Sequence, residues 1–220
     1  MRLSKKQELI PHLAFVDRPD ALSEVYLKEL ANSAAEPMIR ETAELGLGIL
    51  AHQLREQEPE RARKILILLN DKLLSATDAK SKIQALSAMG NIGLLEQLDS
   101  TLPFTRDADP KIRAAALQSL RYVPAAEVSN LLAAAVEHDP ETRVREEASE
   151  ALTYVPPTDG DLTRYETILI SETNISVLKN VLRALANSGS PAAKTLMQKF
   201  LDNCGRTEVC GYADSLIRGL

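Results

Sequence analysis

The chain has no tryptophan, three phenylalanines, five tyrosines and nine glycines in 220 residues. Each scarcity removes a class of answer. Aromatics make up 4% of the residues and β-branched residues are thin, so the side chains that favour strands are missing. Nine glycines are too few for a turn-rich β architecture. There is no basic surplus either: 26 Lys and Arg face 31 Asp and Glu, a net charge of −5. The densest basic stretch, Glu60 to Lys72, mixes Arg61, Arg63, Lys64 and Lys72 with acids. It reads as a solvated helix face and not as a nucleic-acid footprint. No apolar run approaches the roughly 18–20 residues needed to span a bilayer; Ile65 to Leu69 sits inside an amphipathic stretch. The opening Met1-Arg2-Leu3 is followed by the polar Ser4-Lys5-Lys6-Gln7-Glu8, which is not a secretory leader. As a natural start this implies a cytoplasmic protein; as a cut within a longer chain it leaves the compartment open.

What remains is a chain dominated by alanine and leucine, the strongest helix formers, with an ordinary hydrophobic fraction of 45%. Most prolines fall where a helix should begin or end. The strongest signal is an internal repeat. Shifting the chain by 32 positions superposes Ile112 on Val144, Arg113 on Arg145, Ala116 on Ala148 and Leu120 on Leu152, and Tyr122-Val123-Pro124 on Tyr154-Val155-Pro156. A third copy lies 33 further on, where Val177, Val181 and Leu185 replace Val144, Ala148 and Leu152, and Gly189 stands beside the proline position. A fourth lies 31 before the first: Asp78, Ala85, Leu86, Met89 and Gly93 match Asp109, Ala116, Leu117, Leu120 and Pro124. A fainter copy begins at Glu36-Pro37-Met38-Ile39-Arg40. Periods in the low thirties, one helix pair each, indicate an α-solenoid.

The positions have physical reasons. Asp109-Pro110 and Asp139-Pro140 read as helix starts, with Asp capping free N–H groups and Pro at the first helical position. Ile112, Ala116 and Leu120 form one stripe facing a neighbouring helix, and alanine at its centre permits close approach. Val-Pro and Gly stop the helix. The spacing predicts helices at 4–15, 20–34, 37–56, 60–75, 78–90, 94–104, 110–122, 125–137, 141–154, 161–171, 174–188, 191–203 and 207–218. The fold class expected is all-α, a right-handed α-α superhelix of the HEAT type with about six helical hairpins. It is read as a single domain over residues 1–220, one module of a larger protein.

Chemistry is sparse. His12, His52 and His138 are the only histidines, and no two share helical i, i+3 or i+4 spacing, so no metal site is expected. HEAT-like iron-dependent hydroxylases use His-Glu pairs as ligands, and no His-Glu dipeptide occurs here. No nucleophile elbow or phosphate-cradling glycine loop is present. HEAT-like DNA glycosylases carry basic, aromatic clefts, which this acidic chain does not match. No catalytic, cofactor-binding or metal residue is assigned. Arg113 and Arg145 recur at one repeat position, and are expected to pair with the helix-start acids Asp109 and Glu141 and tie adjacent repeats together. Cys204 and Cys210 flank a turn containing Gly205 and Thr207. They form either a disulfide stapling the last hairpin, in an oxidising compartment, or two buried thiols in the cytoplasm. Their spacing is not Cys-x-x-Cys, which argues against a redox catalyst.

The stretch Ala85-Leu86-Ser87-Ala88-Met89-Gly90-Asn91-Ile92-Gly93 resembles the Ala-Leu-x-Asn-x-Gly turn in the helical domain of large lipid transfer proteins: vitellogenin, apolipoprotein B and the microsomal triglyceride transfer protein. The motifs that follow there are similar to Ile112-Arg113 through Leu120-Arg121, to Val144-Arg145 through Pro156, to Glu172-Thr173-Asn174-Ile175-Ser176-Val177 and to Ser188-Gly189-Ser190-Pro191. Leu45-Gly46-Leu47-Gly48-Ile49-Leu50-Ala51-His52 is similar to an earlier helix of that domain. The likeness covers residues 20–200. It implies a non-catalytic helical arch bracing a lipid cavity in a larger, extracytoplasmic protein, with lipid bound by the whole and neighbouring domains of the same chain as partners. The alternative, from the solenoid alone, is a HEAT-type adaptor that grips a protein. Neither reading involves nucleic acid, a cofactor or a transmembrane segment.

Overall fold

A computed structural model describes Ile10, Leu13 and residues 21–124, 126–205 and 207–220. Among these residues there are twelve α-helices and no strand. They are α1 (Ala21–Ser33), α2 (Pro37–Leu54), α3 (Pro59–Ser75), α4 (Ala79–Met89), α5 (Gln97–Thr101), α6 (Pro110–Ser119), α7 (Ala126–His138), α8 (Thr142–Leu152), α9 (Leu162–Ser171), α10 (Ile175–Asn187), α11 (Pro191–Asp202) and α12 (Thr207–Gly219). The helix expected at 4–15 lies outside the described residues except for Ile10 and Leu13. The chain divides into two compact units that meet at Val123 and Pro124.

In the first unit α1/α2 and α3/α4 form helix pairs, and the 3₁₀ turn Leu102–Arg106 that follows α5 packs against α6. The second helices, α2, α4 and α6, pack side by side, and α3 packs against both α2 and α4. In the second unit the pairs are α7/α8, α9/α10 and α11/α12, with α8, α10 and α12 side by side and α7, α9 and α11 forming the other layer. The repeat positions explain the packing. Ile112, Ala116 and Leu120, their counterparts Val144, Ala148 and Leu152, and then Val177, Val181 and Leu185 are all buried. Every copy therefore spends its apolar stripe on the neighbouring helices, as a pattern repeating every three to four residues requires.

Helix ends follow local chemistry. The Asp78 side chain accepts from the Ser81 N–H, Asp109 from Lys111, Asn174 from Val177, and Ser190 from Ala192 and Ala193. Pro stands in the first turn of α2, α3, α6 and α11, where its missing N–H costs nothing. Gly93 and Gly189 close the turns after α4 and α10 at φ +78° and +63°, a region glycine enters without a steric penalty.

Two expectations need correction. The helix read at 94–104 is α5 followed by a 3₁₀ turn, Leu102–Arg106. Pro103 cannot donate to an α-helical ladder, so the chain tightens instead. The helix start read at Asp139-Pro140 lies two residues later: α8 begins at Thr142, with Glu141 at the cap position and no side-chain cap bond. Asp139 instead accepts from the Glu141 N–H at 3.0 Å, as Asp107, 32 positions earlier, accepts from Asp109 at 2.9 Å.

The last helix is held lightly. Within α12 the buried apolar residues are Val209 and Ala213. A Cys204–Cys210 disulfide ties the turn after α11 to the second turn of α12, with Cα atoms 5.8 Å apart. Closing so short a loop restricts the unfolded chain by about 2 kcal/mol at 25 °C. Replacing both cysteines with serine is expected to cost about that much, with the extra hydrogen exchange concentrated in 201–220. Uniform loss of protection across the second unit would contradict it.

Candidate protein-interaction face

The C-terminal ends of α2, α4 and α6 converge in the first unit. The His52 Nδ1 lies 3.0 Å from the Ile92 carbonyl oxygen, which follows α4. The His52 ring meets the Tyr122 ring at 5.1 Å between centroids, tilted by 55°. The Arg121 guanidinium lies over the same tyrosine, 5.0 Å from its centroid. Arg121 Nη2 donates to Asn91 Oδ1 at 2.6 Å and Nη1 to the Gln118 carbonyl at 3.1 Å. Burial first, and then the positive charge of Arg55, hold the His52 pKa below the usual histidine value, with Arg121 a further cationic contribution. The ring is therefore neutral at neutral pH.

Two glycines let these groups come so close. A Cβ on Gly93 would stand 2.7 Å from the Tyr122 carbonyl oxygen, and one on Gly90 would stand 2.8 Å from both Arg121 Nη1 and the Ser119 Cα. Buried Gln97 stitches the same turns: its Oε1 accepts from the Gly93 N–H at 3.1 Å and its Nε2 donates to the Ser119 carbonyl at 2.8 Å. The result is a fixed, partly exposed aromatic and cationic cluster, with Tyr122 38% exposed. Sequence reading singled out none of these as a group, since His52 and Tyr122 are distant in the chain. The one available signal was the recurrence of Tyr122 as Tyr154, a large aromatic that stays 51% exposed.

The residues assigned to inter-repeat contacts do something more specific than expected. Arg113 Nη1 donates to the carbonyls of Asp107 and Ala108 at 3.0 and 3.3 Å. Arg145 Nη1 does the same to Asp139 and Pro140 at 3.1 and 3.3 Å, and Arg40 to Ala34 and Ala35 at 2.6 and 3.1 Å. Each arginine folds back to satisfy carbonyls in the turn before its own helix, which helical bonding leaves without donors. Asp109 serves as a helix cap through Lys111 N–H at 2.8 Å. Arg145 does not pair with Glu141. Its Nε reaches Glu172 at 2.8 Å, because Glu141 lies at its own helix start whereas Glu172 sits in the turn before the next second helix. The corresponding Lys82 lies 4.0 Å from Asp107 in the first unit.

Other candidates stay separate. His138 is exposed and lies 3.4 Å from the Glu137 carboxylate, and His12 is outside the described residues. Among the described residues no group of three or more His, Cys, Asp or Glu could hold a metal, and no helix is long and apolar enough to cross a membrane. The buried Tyr165 hydroxyl finds no partner among the described residues, and burial pushes its pKa above the usual tyrosine range. A recess of about 510 Å³ in the second unit is lined by Leu169, Ile170, Leu178, Leu196 and Phe200 beside the disulfide turn.

The helix pairs, their period and their buried stripes give each unit the helical-hairpin packing of an α-solenoid. A family model for HEAT repeats matches residues 67–153. Among solved structures, an engineered protein is similar at 18% identity and a TM-score of 0.54, over 88% of this chain and 97% of that one. A designed armadillo repeat protein in complex with the peptide (KR)4 is similar at 15% identity and 0.53, over 88% and 97%. Kap121p bound to Nup53p is similar at 16% identity and 0.61, over 96% of this chain and 25% of that one. No curated protein matches the chain in sequence. These comparisons share a fold with this chain and lend no support to the lipid-transfer resemblance.

Proposed function

We propose that the chain is a non-catalytic HEAT-type adaptor, and that a segment of a protein partner lies across the ends of α2, α4 and α6. The observation that carries this reading is the Tyr122–Arg121–Asn91–His52 cluster. It combines an exposed aromatic with an arginine, the side chains most enriched where interfaces hold their energy, on a frame that glycines and buried Gln97 hold rigid. Rigid presentation lowers the entropy lost on binding. Structural neighbours solved with a bound peptide or protein, such as these two, fit the same use of the fold. A lipid-bracing role has no comparable cluster behind it.

Site-specific photocrosslinking tests the proposal. A benzophenone amino acid in place of Tyr122 is expected to capture a discrete protein band in native extract, and one in place of Ile67, 59% exposed on α3, to capture far less. Equal capture at both positions, or none at 122, would remove the interaction face.

A further inference from the structure

Several partly buried arginines have carboxylate partners: Arg61 meets Glu24 at 2.8 Å, Arg145 meets Glu172 at 2.8 Å, and Arg164 meets Glu137 at 2.6 Å. Arg40 bonds instead to the Ala34 and Ala35 carbonyls, and Arg121 resembles it. Its bonds go to neutral oxygens, those of Gln118 and Asn91, and no carboxylate among the described residues lies within ion-pair distance. The guanidinium carries five N–H donors in a planar fork. Its Nε–H and an Nη2–H have no acceptor among the described residues. The group is nonetheless held in place from three sides: Tyr122 under its face, Asn91 on its edge, and Gly90 leaving room for Nη1. His52 is close enough for the Arg121 charge to affect it. An immobilised, unneutralised cation beside an exposed ring, on a chain of net charge −5, is a locally positive spot on an acidic protein.

We infer that the partner segment is acidic, and that one of its carboxylates is received by the open edge of Arg121 with its neighbouring side chain resting on Tyr122. This rests on the interaction-face reading above and adds the chemistry of the partner. A carboxylate accepts two parallel N–H bonds from guanidinium, stronger than neutral bonds and geometrically selective. The overall negative charge repels the same segment from the rest of the surface, which confines it to this spot and fixes its register.

The test uses the full chain and fluorescein-labelled octapeptides followed by anisotropy at 50 mM salt. The expected result is that (Glu-Ala)4 binds at least tenfold tighter than (KR)4. Arg121→Gln should weaken it about tenfold, the loss of one charge-assisted contact, with the variant still unfolding in one cooperative transition above the assay temperature. Arg121→Lys, which keeps the charge and loses the fork, should recover only part of the affinity. Full displacement by inorganic phosphate at low millimolar concentration would reduce the spot to a generic anion site and overturn the inference, as would the absence of acidic-peptide binding. Binding of (KR)4 that Tyr122→Ala weakens and Arg121→Gln does not would also overturn it, yet leave the interaction face standing. That face falls only if the crosslink at 122 fails.

Discussion

Glu172→Ala is expected to lower the unfolding free energy by about 3 kcal/mol, the cost of stranding one partner of a largely buried ion pair. The Glu172 side chain is 5% exposed and that of Arg145 18%. One carboxylate oxygen accepts from Arg145 Nε; the other accepts from the Thr173 and Asn174 N–H groups at 2.6 and 2.7 Å. Burial alone would raise the Glu172 pKa, but the Arg145 bond and the two backbone N–H groups outweigh it and hold the carboxyl below its usual value. A carboxyl depressed in the folded state stabilises at pH above its unfolded value, 4.5, and that contribution is lost as pH falls through the folded one. Urea melts from pH 7 to pH 3 should therefore show a shallower acid loss in the variant than in the parent. Arg145→Met combined with Glu172→Ala should cost less than the two single changes summed, because removing both partners leaves no orphaned charge. Additive losses and parallel pH curves would contradict the pairing.

Gly48→Val is expected to destabilise the first unit by about 3 kcal/mol, at the upper end for forced overpacking. A Cβ at position 48 would stand 2.0 Å from the Ala88 carbonyl oxygen and 3.1 Å from the Asn91 Cβ. The obstacle is helix backbone, which cannot rotate away, so α2 and α4 must separate. Gly211→Ala is the contrasting case. Nothing lies within 4 Å of a Cβ there and the residue is inside α12, so the change should stabilise by about 0.5–1 kcal/mol through the helix preference of alanine. Opposite signs in chemical denaturation support the packing described; a neutral Gly48→Val would contradict it.

Both effects show where sequence reading stops. Stripes such as Ile112, Ala116 and Leu120 are visible because helical periodicity is local, and the 31–33-residue spacing follows because each hairpin must cover the last one. The cap at Asp109 is legible for the same reason, since it bonds within three residues; Asp78, Asn174 and Ser190 cap in the same local way without the Asp-Pro pair that marks Asp109, and the Asp-Pro pair at 139 misplaces its helix start by two residues. What escaped are contacts between distant positions: Gly48 against Ala88, His52 against Tyr122, Arg145 against Glu172. The likeness to lipid transfer proteins arose from residues that helical hairpins need for their own construction. Asn91 anchors Arg121, Gly93 turns the chain at positive φ, Asn174 and Ser190 cap helices. Residues fixed by such general demands mark the fold and carry no information about a ligand.

The partner-binding face proposed at the ends of α2, α4 and α6 is open to one direct measurement. Hydrogen–deuterium exchange of the chain, free and bound to the protein captured at position 122, tests it most directly. Added protection is expected at residues 90–93 and 118–123, with α1, α3 and the recess between α9 and α11 unchanged. Protection confined to the first helices of the pairs, with residues 90–93 and 118–123 exchanging as in the free chain, would contradict it.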